Sequence, residues 1–324
     1  MEAVHHDILI IGAGMAGLAC ATHLAGAGHA PALIDKGRGP GGRMAARRVM
    51  VAGAEVTFDH GAQYFTARDL AFRAAVAAWE QTGAAARWPE AGAEAFVGTP
   101  GMNGPLKAMA GGLDVRWGVR ATGLVREGQL WRVTTDAGTI TARTVLVAVP
   151  AEQACELLSN AAPDLAAIAA SVHSAPCWAV LAAFAGAVPL ASAVLRGEAG
   201  DAISWAARNA AKPGRAAMET WVIHASPARS RQLLDLPKDE VAAILLEDFR
   251  AASGLKALPP TLHCDAHRWL YALPQVASGA PARLDAALQL GLAGDYLHSP
   301  RVEGAWLSGR ALAQAVSGTS ASTA

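Results

Sequence analysis

The apolar positions of this chain change period several times, and each change predicts an element. Residues 8–11 are a continuous apolar run, as a strand covered on both faces requires. Residues 18–27 are Ala-rich and of helical type, Gly28 stops them, and residues 31–34 read as a second strand. A brief strand is expected at 55–58, and a short helix at 106–110 after the Pro- and Gly-containing loop 99–105. Residues 69–82 have helical spacing, with Leu70, Phe72, Val76 and Trp79 apolar. From 113 to 149 the period becomes two: strands 114–119, 122–126, 130–135 and 139–149 are separated by turns at Glu127-Gly128 and Asp136-Ala137-Gly138. This predicts a β-meander whose last strand, apolar throughout 144–149, returns to the central sheet. The stretch 151–275 predicts helices at 153–158 and 165–170 and strands at 175–184, 203–207, 218–224 and 261–271. Its helix 237–253 carries an apolar stripe of Val241, Ile244, Leu245 and Phe249. A strand at 290–293, a helix to about residue 316 and a polar tail, 317–324, expected to fray, complete an α/β pattern.

The first strand runs into Gly12-Ala13-Gly14-Met15-Ala16-Gly17, a G-x-G-x-x-G opening a helix. The first glycine permits a tight turn, the second lets backbone approach a pyrophosphate, and the third lets helix and strand pack closely. The helix N-terminus presents free N–H groups and partial positive charge to phosphate. Asp35 ends the second strand, 23 residues after Gly12, where the fingerprint expects a carboxylate for ribose hydroxyls. The motif alone is weak in a chain with 33 glycines; its place between strand and helix gives it weight.

A second glycine cluster follows at once: Lys36, Gly37, Arg38, Gly39, Pro40, Gly41, Gly42, Arg43, Met44. It can wrap N–H groups and an arginine around a diphosphate, or serve only as a surface loop. Together the two loops resemble the bipartite FAD site of the flavin amine oxidase superfamily. Residues 35–44, followed by the run 58–65 with Gln63 and Tyr64, resemble more narrowly its bacterial renalase-like branch. Near the C-terminus, Gly294-Asp295, a loop, and Val302-Glu303-Gly304-Ala305 at a helix start resemble the superfamily's last FAD motif. There Asp295 can bind a ribityl hydroxyl, and the helix N-terminus would face the flavin N1–C2=O edge, where reduction places negative charge.

The resemblance implies an amine oxidase-like and p-hydroxybenzoate hydroxylase-like α/β fold. A Rossmann-type FAD-binding domain (1–66, 111–165 and 285–324) would carry a mixed sheet-plus-helices substrate domain (67–110 and 166–284). The cofactor-binding residues it implies are Gly12, Gly14, Met15, Ala16, Gly17, Asp35, Lys36, Gly42, Arg43, Met44, Gln63, Tyr64, Asp295, Val302, Glu303, Gly304 and Ala305. No cysteine follows Cys264, so the superfamily's covalent-flavin thiol has no counterpart and FAD is expected to be non-covalent. Arg38 could instead read a 2′-phosphate of NADP, but the C-terminal motif is a flavin feature.

Composition narrows the setting. Equal numbers of basic and acidic residues, 27 each, give no electrostatic case for nucleic acid or an anionic membrane. No apolar run is long enough to span a bilayer, and the start lacks a basic n-region, so a cytoplasmic protein is expected. Cys20, Cys155, Cys177 and Cys264 lie far apart and read as buried or free thiols. Ten histidines show no metal spacing, and no metal is expected. Oligomeric state is not legible, with a monomer favoured.

The renalase-like resemblance implies oxidation of aberrant 2- or 6-dihydro isomers of NAD(P)H to NAD(P)+. Hydride would pass to flavin N5 and O2 would become H2O2, so the partners are a dinucleotide and O2. The product pyridinium is aromatic, so no proton need be removed, and positioning does most of the work. Trp269 and Tyr271, then Phe65, Trp205 and Asn209, are the candidates to contact substrate; each could equally fill the core. His60, His224 and His267 lack a paired carboxylate and read more readily as structural. No lysine after residue 107 (Lys212, Lys238, Lys256) sits in a matching amine-oxidase motif. The alternatives are an amine oxidase or desaturase of the same superfamily, and a binding protein that uses the fold without turnover.

Overall fold

The structure, a computed structural model, describes residues 4–277 and 279–321. Its centre is a mostly parallel sheet in the order Ala282–Asp285, Leu290–Ala293, Gly138–Val147, Val4–Ile11, Ala32–Asp35, Asp114–Trp117. Only the pairing of Ala282–Asp285 with Leu290–Ala293 in that row is antiparallel. The apolar run of the first strand lies in the middle: Leu9, Ile10 and Ile11 pair with Ala32, Leu33 and Ile34 on one side and with Val145, Leu146 and Val147 on the other. All three are buried, which is why this segment has no polar face. The order reverses direction beside the first strand, so the ends of Val4–Ile11, Ala32–Asp35 and Gly138–Val147 open a crevice of the kind that takes a dinucleotide.

The expected meander has three strands, not four. Ala121–Glu127, Leu130–Thr135 and Gly138–Val147 pair antiparallel in sequence, whereas Asp114–Trp117 joins the far edge of the sheet, parallel to Ala32–Asp35. The helix Met15–Gly26 begins three residues before its Ala-rich stretch. It packs against the long C-terminal helix Val302–Ala321, where a Cβ on Gly309 would stand 2.0 Å from the Ala16 carbonyl oxygen. That helix continues through the start of the polar tail expected to fray; residues 322–324 lie outside the described residues.

A second sheet is antiparallel, in the order Val194–Arg196, Ile203–Arg208, Thr220–Ala225, Ser174–Phe184, Thr261–Pro274. The helix Lys238–Ala252 covers one face, burying Val241, Leu245 and Phe249 against Trp178, Val180 and Trp221. A hairpin, Arg47–Val51 with Ala54–Phe58, leads from the second glycine loop toward this sheet, and Val51, Val56 and Phe58 share a small core with Leu181 and Val222. The helix Leu70–Gln81 is capped by Asp69, whose Oδ1 accepts Ala71 N at 2.8 Å. Phe72, Val76 and Trp79 form its buried stripe. Leu70 does not join them: it opens the first turn off that face and is 81% exposed. No helix among the described residues is long and apolar enough to cross a membrane.

Candidate active site

The crevice is built first from backbone. Gly12 has φ +102°, and a Cβ there would meet the Ala148 carbonyl oxygen at 2.6 Å, so only glycine can let the chain turn so close to the neighbouring strand. At Gly14 the opposite holds: a Cβ would meet nothing within 4 Å. The helix that starts at Met15 has no side-chain cap and no acid in its first turn, although Met15, Ala16 and Gly17 are buried. A buried, uncapped N-terminus beside open space is a place for an anion. Gly42, at φ +53°, brings the second glycine loop over the first; a Cβ on it would lie 3.8 Å from Gly14 Cα.

Asp35 ties these loops together. Its Oδ2 accepts Ala13 N at 2.7 Å and its Oδ1 accepts Gly37 N at 2.6 Å. Each oxygen keeps a further lone pair for a hydroxyl. The exposed Lys36 side chain donates to Gln153 Oε1 at 2.9 Å. Met15 and Met44 are buried in the core behind the loops.

The two ends of the chain meet at a bidentate ion pair. Arg43 Nη1 and Nη2 donate to Asp295 Oδ2 and Oδ1 at 2.8 and 2.7 Å, and Nη1 lies 3.3 Å from the Ala272 carbonyl. Gly294 N donates to Ser308 Oγ at 2.8 Å, which fixes the Gly294-Asp295 corner to the last helix. Val302, Glu303, Gly304 and Ala305 form the first turn of that helix. The Glu303 carboxylate is engaged elsewhere, accepting Arg68 N and Asp69 N at 2.6 and 2.7 Å, so it holds the entrance to the helix Leu70–Gln81 instead of a cofactor.

The segment 59–64 rides on Arg43, with Ala62 N donating to the Arg43 carbonyl at 2.8 Å. Beneath it lies a charge cluster that residue spacing did not reveal. Asp59, Lys212 and Arg215 have side chains 0%, 0% and 1% exposed; Lys212 Nζ is 3.2 Å and Arg215 Nη2 2.5 Å from Asp59 Oδ2. Lys212 also donates to Gln63 Oε1 at 3.0 Å, and Gln63 Nε2 donates to the Asp59 and Gly61 carbonyls. The Gln63 amide is thus consumed in supporting its own loop. Burial drives the Lys212 ammonium down to about 8, against the pull of Asp59. Asp59 itself is held below the usual carboxylate range: the nearby Lys212 and Arg215 charges and the Met102 N–H together outweigh its burial.

Of the substrate candidates, Trp269 reaches this segment from the second sheet. Its Nε1 donates to the His60 carbonyl at 2.8 Å, its ring stacks on His60 at 5.1 Å, and His267 meets it edge-on at 4.4 Å. Burial holds the imidazoles neutral, His60 at about 3 and His224 and His267 at about 4. Buried His60 Nδ1 has no hydrogen-bond partner. Tyr271, two residues on, lines a cavity of about 330 Å3 with Glu152, His173 and Leu270. The remaining three are occupied with structure. Phe65 packs with Phe72, Trp79 and Phe96 in the core. Asn209 is 1% exposed and joins Thr57 O to Asp59 N. Trp205 lies between the Tyr64 ring, at 5.1 Å, and the Arg196 guanidinium, at 4.8 Å. Among the described residues no group of three or more His, Cys, Asp or Glu is placed to hold a metal ion. The four cysteines are unbridged.

These features fit FAD. Gly14 and the uncapped helix would provide the diphosphate cradle, Asp35 would be the ribose acceptor, and the paired Arg43 and Asp295 would lie beside the cofactor where the C-terminal helix begins.

Known proteins agree with that cofactor. Residues 82–317 match the family described as flavin containing amine oxidoreductase, and residues 10–78 match the NAD(P)-binding Rossmann-like domain. The chain is 46% identical over 79 residues to a hydroxyneurosporene desaturase of Rubrivivax gelatinosus, a match taking in 24% of this chain and 14% of that protein. Its fold is similar to a protein of Exiguobacterium sp. 255-15 named "Putative protoporphyrinogen oxidase" (TM-score 0.73, 12% identity, 98% of this chain and 99% of that one). It is also similar to a cofactor-binding triple mutant of putrescine oxidase (TM-score 0.72, 14% identity, 97% and 99%) and to the wild type bound to putrescine (TM-score 0.67, 13% identity, 97% and 99%). With most of its length matched by one family and its start by a Rossmann-like domain, the chain belongs to the flavin-containing amine oxidoreductases and is an oxidoreductase with non-covalent FAD.

Proposed function

We propose that this protein oxidises 2- or 6-dihydro isomers of NAD(P)H to NAD(P)+, with O2 as the electron acceptor. In balance, the isomer, O2 and one proton give NAD(P)+ and H2O2. FAD would supply the hydride acceptor at N5. The observation that carries the reading is the character of the groups around Trp269. His60 and His267 are neutral and have no carboxylate hydrogen-bonded to them, and Lys212, the lysine that reaches the 59–64 segment, is bound to Asp59 and Gln63. Such a site can stack and orient a flat ring, and its two imidazoles are weak bases. A dihydropyridine suits it, because hydride loss alone makes an aromatic product. Trp269 would hold the ring by its face, and its N–H bond to His60 would hold Trp269. A cytoplasmic setting, with the NAD(P)H pool, belongs to the same proposal.

A second reading, oxidation of an amine or a desaturation, has more direct support from the similar proteins, whose names include putrescine oxidase and a desaturase. It also has a chemical handle, since Lys212 held at about 8 is partly neutral near neutral pH. Anaerobic mixing separates the two. The FAD-loaded protein should bleach with a dihydronicotinamide isomer and recover on admitting O2. Bleaching by putrescine or another amine, with every isomer inert, would replace the first reading by the second.

A further inference from the structure

The free edge of the antiparallel sheet carries a groove that the flavin site does not use. Strand Thr261–Pro274 is the outermost strand there, and a cavity of about 450 Å3 beside it is lined by Arg47, Trp178, Lys238, His267 and Arg268 among others. Three permanent cations line it, and two of them share one carboxylate. Asp265 accepts from Arg47 Nη1 at 2.8 Å and from Lys238 Nζ at 3.1 Å, while Arg268 donates to the Leu234 carbonyl and lies over the Trp178 ring at 5.8 Å. Asp239 and Glu240, next along the helix, are exposed and do not line the groove. The lining therefore carries excess positive charge in a chain whose net charge is zero. The cations are not spent: the Arg47 and Lys238 side chains remain 37% and 61% exposed, with N–H groups left to donate.

The groove adjoins the aromatic cluster through one residue. Arg47 Nη2 lies 3.4 Å from His267 Nδ1, and the His267 ring is 4.4 Å from that of Trp269. A molecule with its ring at Trp269 and an anionic tail would pass His267 into the groove. We propose that this groove is an anion subsite that binds the diphosphate of a nicotinamide dinucleotide whose ring reaches Trp269. The assignment of the tail rests on the substrate reading above.

Two measurements on FAD-loaded protein test it. Inorganic pyrophosphate, titrated by calorimetry, should bind saturably and more weakly as salt rises. Lys238→Glu and Arg268→Glu should each weaken it about tenfold, and Lys238→Arg should retain it. In anaerobic flavin reduction, the rate constant for a dihydronicotinamide dinucleotide relative to the matching riboside, which has no phosphate, should fall about tenfold in each charge reversal. If no isomer reduces the flavin while pyrophosphate binding responds to both variants, the substrate reading fails and the groove stands as an anion site. If pyrophosphate does not bind, or binds all variants alike, the groove assignment is overturned whatever the isomers do.

Discussion

Replacing Asp59 by Asn removes one charge and almost no volume. The Met102 N–H, 2.8 Å from Asp59 Oδ1, keeps an acceptor. Lys212 and Arg215, 0% and 1% exposed at their side chains, lose their counter-ion. Stranding buried charge in this way costs about 3–5 kcal/mol. For a chain of 324 residues, an unfolding entropy of about 2.1 cal/mol/K per residue makes ~4 kcal/mol equal to about 6 °C in Tm. The variant has one escape, which is for Lys212 to release its proton. In the parent that proton is held to about pH 8, below the 10.5 of an unfolded lysine. An unfolded chain thus binds more protons between those values, and this group's contribution to stability rises with pH only above about 8. Without Asp59 the folded value drops further, so the rise should begin below pH 8, at up to about 1.4 kcal/mol per pH unit. Scanning calorimetry of both proteins from pH 6 to 9 reads both effects. A variant within about 1 °C of the parent, with the same pH trend, would refute the assignment of Asp59 as the anchor of this cluster.

Three further outcomes follow from the geometry. Gly14→Val should leave the FAD-free protein's Tm unchanged, because a Cβ there meets nothing within 4 Å, yet abolish FAD binding; retained flavin absorbance would put the diphosphate elsewhere. His60, His224 and His267, held at about 3, 4 and 4, bind protons more readily when unfolded, so their contribution to stability is complete above about pH 6.5 and drains away as pH falls toward 4. Urea midpoints at pH 7, 6 and 5 should fall progressively, and a flat series would contradict the burial of these rings. Gly309→Val should destabilise by about 3 kcal/mol or more and loosen FAD, since its side chain would collide with the Ala16 carbonyl; wild-type Tm and flavin content would show that the helices can separate there without harm.

How much was legible depended on range. The first strand, its glycine turn and Asp35 are neighbours in sequence, and their pattern identified them. The long apolar strands and the helix Lys238–Ala252 were likewise readable because each has a face with a clear period. Arg47–Val51 was not, since only Val51 is buried and the strand gains its identity from pairing with Ala54–Phe58. Ala282–Asp285 is similar: four half-buried residues that become a strand by pairing with Leu290–Ala293. In the site, residue type outran geometry. Phe65 and Asn209 have the chemistry of substrate contacts, but sequence cannot say where a side chain points, and theirs point into packing. The Asp59–Lys212–Arg215 cluster joins positions about 150 residues apart and has no local signature.

The Arg43–Asp295 clasp spans 252 positions of chain, and synthesis runs from one end to the other. The glycine loops leave the ribosome early, but the acid that faces them, the strand Leu290–Ala293 and the closing helix come last. A nascent chain can therefore fold its first βαβ unit and still lack the acid and helix turn that face it. If Asp295 and the first turn of the last helix hold FAD as assigned, capture would be completed only once translation has passed residue 305, and stops before it should yield pale protein.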